Sequence, residues 1–146
     1  MNIIDTNGVS YIFDKGLTLK EEYYLAPDVV DEVEVTQLVH NRKLPSGILD
    51  IENTDEYDEL IYIGHYKQVI NSYKKRSFYN MTGFGDVSII STLHMLMDVF
   101  ARQKTEQLFE TSDSIIVFTD DENLTTEINK IFAGKSVTVK PVSDIK

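Results

Sequence analysis

Cysteine is absent from this chain of 146 residues, and so is tryptophan. The missing cysteines remove disulfides, thiolate nucleophiles and cysteine-ligated zinc from consideration. Proline occurs three times and glycine seven, too sparsely for a linker or a low-complexity tract. No internal repeat appears either, so a single domain over 1–146 is expected. No unbroken apolar run nears the roughly 18 residues of a membrane span, and the first residues do not read as a secretory leader. A cytoplasmic protein with no membrane partner is the resulting expectation. Positive charge is scarce as well: 14 lysines and arginines stand against 24 aspartates and glutamates, a net charge of −10. Nucleic-acid binding draws much of its affinity from cationic side chains on phosphates. The balance therefore disfavours such a partner unless many carboxylates converge on one site and metal ions neutralise them.

What is present is an alternation of short apolar strands and amphipathic helices. Residues 2–5 read as a buried strand, and Val9, Ile12 and Phe13 recur at helical spacing up to Gly16. A second strand is expected at 23–26. Asp28 is placed to cap a helix from about Val29, with Val30, Val33, Leu38 and Val39 as its buried stripe. Residues 42–54, with Pro45 and Gly47, read as a loop or a small excursion. A helix over 55–77 has acids at its start and Lys74, Lys75 and Arg76 at its end, the order the helix dipole favours. The helix over 86–102 is apolar nearly all round and should lie deep in the domain. A third strand at 115–119, a helix at 124–132 closed by Gly134, and a last strand at 137–140 complete the pattern. Strand–helix alternation with short loops predicts an α/β fold, a three-layer α/β/α sandwich with a mostly parallel sheet.

In such sheets functional groups gather beyond the carboxyl ends of the strands. "NIID" runs an apolar strand into Asp5, and "IIVFTDD" runs another into Asp120 and Asp121. Glu32 follows the second strand, and Asp86 opens the most apolar helix after "GFG". Taken singly, Asp5, Asp86 and Asp121 could be helix N-caps, and Glu32 a first-turn partner of the helix dipole. Caps alone do not explain why strand after strand ends in acid. Carboxylates crowded at one sheet edge repel and resist ionisation unless a cation compensates. Mg²⁺ or Mn²⁺ prefers such oxygen ligands, and two ions about 4 Å apart can activate water and stabilise the leaving oxygen in phosphodiester cleavage.

Four segments, in order, carry a family resemblance: "NIIDTNGVSYIFD", "YYLAPDVVDEVEV", "GFGDVSIISTL" and "IIVFTDDENL". Together they resemble the motifs of the PIN domain family of metal-dependent nucleases, which includes the VapC-type toxins. The resemblance implies an α/β/α fold and endonucleolytic cleavage of RNA. It implies Asp5, Glu32, Asp86 and Asp121 as catalytic metal ligands, with Asp120 an extra or alternative ligand because the doublet leaves the register open by one. Thr6, Asn7 and Thr119 match the small polar residues that orient those acids or the attacking water. A partner antitoxin and a homodimer are the protein contacts it implies. Residues 39–79 lie outside the resemblance and are expected to hold the substrate-specific surface.

Other readings compete. Lys67, Lys74, Lys75 and Arg76 could grip an RNA backbone, although a helix C-terminus collects such residues anyway. Phe84 and Tyr79 flank the expected site and could stack on bases, whereas core packing suits most of the aromatics better. His40, His65 and His94 share no metal-ligand spacing and read as structural. "DTNG" and "GFGD" suggest a haloacid-dehalogenase-like phosphatase, but that chemistry needs an acid where Asn7 stands. A receiver domain fits less well. The alternative outside enzymology is a PIN-like module that binds RNA or protein without cutting.

Overall fold

The computed structural model describes residues 1–40, 43–75, 83–106 and 114–146. Strands β1 (Asn2–Ile4), β2 (Tyr23–Leu25), β3 (Ile48–Asp50), β4 (Ile115–Phe118) and β5 (Val137–Lys140) form one sheet in the order β3-β2-β1-β4-β5. Every pairing is parallel. Helices α1 (Thr6–Lys15), α2 (Pro27–His40), α3 (Glu59–Lys75), α4 (Phe84–Glu106) and α5 (Glu122–Ile131) flank it, giving the expected three-layer α/β/α architecture. Sheets of this kind are covered on both faces, which is why "II" of β1 and "IIVF" of β4 are continuous apolar runs rather than alternating ones. Ile3, Ile4, Ile115 and Val117 are fully buried.

The sequence pattern misplaces several boundaries. Residues 42–54 contain β3, not only loop: Tyr23, Tyr24 and Leu25 pair with Ile48, Leu49 and Asp50. Only Ile48 of those three is buried, so no periodicity marks the strand. Helix α2 starts at Pro27, with the amides of Val29 and Val30 donating to the Ala26 carbonyl. Proline suits that first position because its missing N–H has no helical partner to lose. Asp28 is therefore a first-turn acid and not the cap, and Glu32 sits in the second turn. Helix α3 starts at Glu59, leaving Asp55, Glu56 and Asp58 before it. The Asp58 carboxylate accepts from the Ile61 amide at 3.1 Å. Helix α5 ends at Ile131 with Phe132 as its cap, two residues before Gly134. Gly16 closes α1 as predicted, in the left-handed conformation.

Helix α4 holds the centre. Ile89, Ile90, Leu93, Met95 and Leu96 are fully buried, and α4 packs against both α2 and α3. Among the described residues, 84–105 is long and apolar enough to cross a membrane by length and composition, although Asp86 and Asp98 interrupt the apolar run. Sixty-one per cent of that window is buried inside the fold, so its apolar face is already covered by protein.

Candidate active site

The sheet order places β1 next to β4, where the strand order reverses, the usual position of a binding crevice in an open parallel sheet. Register then fixes the first contact. Ile4 pairs with Phe118, so the next residues, Asp5 and Thr119, leave the sheet side by side. The Thr119 hydroxyl donates to Asp5 Oδ2 at 2.5 Å and accepts from the Asp121 amide at 3.0 Å. Asp5 Oδ1 accepts from the Gly8 amide at 2.8 Å and so caps α1. Asp121 caps α5 in the same manner, through the Leu124 amide at 3.0 Å. Both acids are caps, as the simpler reading held, and both also face a common hollow.

That hollow, of about 170 Å³, is lined by Asp5, Glu32, Asp86 and Asp121, with Thr6 and Asn7 at its edge and Val29, Gly85 and Ile89 completing it. All four acids singled out in the sequence are brought together. The Thr6 hydroxyl donates to Glu32 Oε2 at 2.6 Å, tying the second acid to the start of α1. Asp86 is not a helix cap, because α4 begins two residues earlier at Phe84. Its carboxylate points inward, and its Oδ2 is buried with no hydrogen-bond partner among the described residues.

Electrostatics follow from this crowding. Burial, reinforced by the charges of Asp121, Asp5 and Glu32, pushes the Asp86 carboxyl up to about 7. Burial also raises Asp5, against the pull of its hydrogen bonds from Thr119 and Gly8; the nearby Asp121 and Asp120 charges add to the rise. Desolvation and like charge both disfavour the anion.

Asp120 does not join the group. It is exposed, and its Oδ1 accepts from the Val142 amide at 3.1 Å, which resolves the doublet in favour of Asp121 as the lining acid. Lys67 is exposed on α3 and does not line the hollow. Lys74 and Lys75 close α3 but their side chains lie outside the described residues, as do Arg76 and Tyr79. His65 and His94 stack at 4.9 Å, and His65 Nε2 meets Asp98 Oδ2 at 2.6 Å. They border a larger hollow of about 280 Å³ between α3, α4 and α5 whose lining holds no carboxylate.

Gly85 is the site residue that sequence reasoning passed over. A Cβ there would lie 2.8 Å from Glu32 Oε1 and 3.0 Å from Oε2, so Glu32 reaches the hollow only because position 85 has no side chain. The "GFGD" string was the available signal, but its meaning needed Glu32 beside it.

The donor set is all oxygen, which suits a hard divalent cation. The orphaned Asp86 Oδ2 is an acceptor that such a cation, or a proton, would satisfy. Among the described residues no three acid or histidine side chains are grouped closely enough to hold one ion as they stand. Asp5, Glu32 and Asp121 are each held by the hydrogen bonds just described, and each retains acceptor capacity toward the hollow. Comparison with protein-family models, with curated proteins and with solved structures gives no match.

Proposed function

We propose that this chain is a divalent-metal-dependent endoribonuclease of PIN type, hydrolysing RNA phosphodiester bonds at the acidic hollow. The observation that carries the reading is the convergence of Asp5, Glu32, Asp86 and Asp121 on one hollow with a buried Asp86 oxygen that has no hydrogen-bond partner among the described residues. Packing four carboxylates around one hollow costs stability, which a bound cation would offset. The resemblance of the four segments in which these acids lie supports the nuclease over other metal chemistries.

Asp5, Asp86 and Asp121 would hold Mg²⁺ or Mn²⁺, with Glu32 completing the set. When bound, such an ion supplies positive charge against the phosphate and promotes ionisation of the attacking water. Thr119 holds Asp5 in one orientation and the Asp121 backbone in register with it. Thr6 does the same for Glu32. Asn7, exposed at the rim, is placed to donate to an RNA phosphate or ribose. A net charge of −10 makes binding of RNA at this site depend on the cation.

The test is cleavage of single-stranded and transfer RNA with Mn²⁺ or Mg²⁺, against EDTA and the variants Asp86→Asn and Asp5→Asn. Loss of at least about 100-fold, the low end of what a group at a reacting centre contributes, is expected for each variant with the fold retained. Equal cleavage by wild type and Asp86→Asn would remove the proposal.

A second reading, a PIN-like module that binds RNA or protein without cutting, draws on the lack of a three-residue ion group among the described residues. It requires RNA binding that needs no divalent ion and survives Asp86→Asn. An antitoxin partner rests on the resemblance alone; the acidic hollow would take an arginine from it.

A further inference from the structure

A second hollow, of about 330 Å³, adjoins the acidic one through Glu32, which lines both. Its other walls are Asp28, Asp31, Tyr66 and Phe84. The "GFGD" string explains how Phe84 comes to be there. Gly83 has a positive φ of 106°, which side-chain-bearing residues rarely adopt, and it turns the chain into α4. Gly85 makes room for Glu32, and Asp86 enters the acidic hollow. Phe84, between the two glycines, is left 66% exposed on the wall of the second hollow.

Asp28 and Tyr66 on its wall are tied together and to α4 by hydrogen bonds. The Tyr66 hydroxyl donates to Asp28 Oδ2 at 2.5 Å, and the Asp28 amide donates to Ser88 Oγ at 3.1 Å. Ser88 Oγ in turn meets the Tyr62 hydroxyl at 2.7 Å, and the Tyr62 and Tyr66 rings lie 5.7 Å apart. The tyrosine takes one oxygen of Asp28. The other oxygen, and both oxygens of the exposed Asp31, have no hydrogen-bond partner among the described residues.

We infer that this hollow is a guanine-binding subsite, taking the base of a nucleotide whose neighbouring phosphate lies in the acidic hollow; the inference rests on the ribonuclease reading of that hollow. Three carboxylates on its walls repel phosphate, so the group that enters is a base and not the backbone. Single-stranded RNA is read by stacking bases on aromatic rings and hydrogen-bonding their Watson–Crick edges. Phe84 offers the ring. Guanine presents N1–H and the N2 amino group side by side, and the Asp31 carboxylate can accept both. Uracil would turn two carbonyl oxygens toward the acids. Adenine presents one amino group beside an acceptor nitrogen.

The experiment measures binding of guanosine, inosine, adenosine and uridine to the full chain in EDTA, by calorimetry, with circular dichroism confirming that each variant is folded. Guanosine should bind about ten-fold tighter than adenosine or uridine, with inosine, which lacks the N2 amino group, between. Phe84→Ala should weaken guanosine roughly 5- to 100-fold, the factor expected for one stacked base. Asp31→Asn should erase the preference among bases while leaving some binding. The inference is overturned if guanosine binds no tighter than uridine, or if Phe84→Ala leaves guanosine binding unchanged. A parallel cleavage assay separates the two claims. Guanosine selectivity with no RNA cleavage keeps the subsite and removes the nuclease; cleavage without selectivity does the reverse.

Discussion

The Glu32 carboxylate rests against the backbone of Gly85, so closely that a methyl group there would sit 2.8 Å from Oε1 and 3.1 Å from Cδ. The neighbour is the far end of a flexible side chain, so Gly85→Ala should be accommodated by Glu32 swinging away. Alanine in a helix is also favoured over glycine by up to about 1 kcal/mol. The expected variant is as stable as wild type or slightly more so in urea unfolding. Its metal-dependent cleavage should fall at least about 10-fold. A variant that loses stability and activity together would mean that Gly85 serves packing and not the position of Glu32.

Asp86 gives the chain a pH signature. Its folded pKa, about 7, lies above the ordinary 3.8, so between these values the folded chain holds a proton that the unfolded chain has released. A folded state that binds more protons loses stability as pH rises. In EDTA, wild type should therefore lose stability relative to Asp86→Asn from about pH 4 to about pH 7, with the difference levelling above that. Denaturation midpoints across this range check it, and parallel curves for the two proteins would contradict it.

Divalent cations should act in the opposite direction. An ion that binds only the folded hollow, present at about 100 times its Kd, stabilises by about 2.7 kcal/mol and should raise Tm by roughly 5 to 10 °C. Asp5→Asn and Asp86→Asn should abolish most of that rise. Thermal melts with Mn²⁺ and with EDTA decide it. A rise that persists in both variants would place the ion elsewhere.

Thr119, 3% exposed, joins Asp5 to the start of α5. Thr119→Val keeps the shape but leaves Asp5 Oδ2 without its donor and the Asp121 amide without its acceptor. A cost of about 1–3 kcal/mol is expected in urea unfolding. The lost hydrogen bond also held the Asp5 pKa down, so the acid limb of the cleavage–pH profile should move to higher pH. An unshifted limb would show that Asp5 ionisation does not govern the rate.

The acids were legible because each stands in a context that propensity alone can read. Asp5 and Asp121 follow apolar runs that can only be buried strands, and Asp86 stands in the first turn of a helix apolar on almost every side. Parallel topology then sends the strand ends to one edge. The weak point was short elements with little burial. Strand β3 buries only Ile48 and exists through its pairing with β2, so nothing local announces it. The start of α2 was read two residues late, because Asp28 is a good cap by type while Pro27 actually opens the helix.

The sequence by itself determined the alternation of strand and helix, the parallel sheet and the list of acids that could meet, because apolar periodicity and strand-end position are local properties. Tertiary structure alone decided which acid of the Asp120–Asp121 pair faces the hollow, since that depends on the Val142 amide drawing Asp120 away. It alone gave Gly85 a reason, since the space its missing side chain leaves is filled by Glu32 from another helix. Such choices turn on contacts between residues distant in the chain, and local pattern carries no information about them.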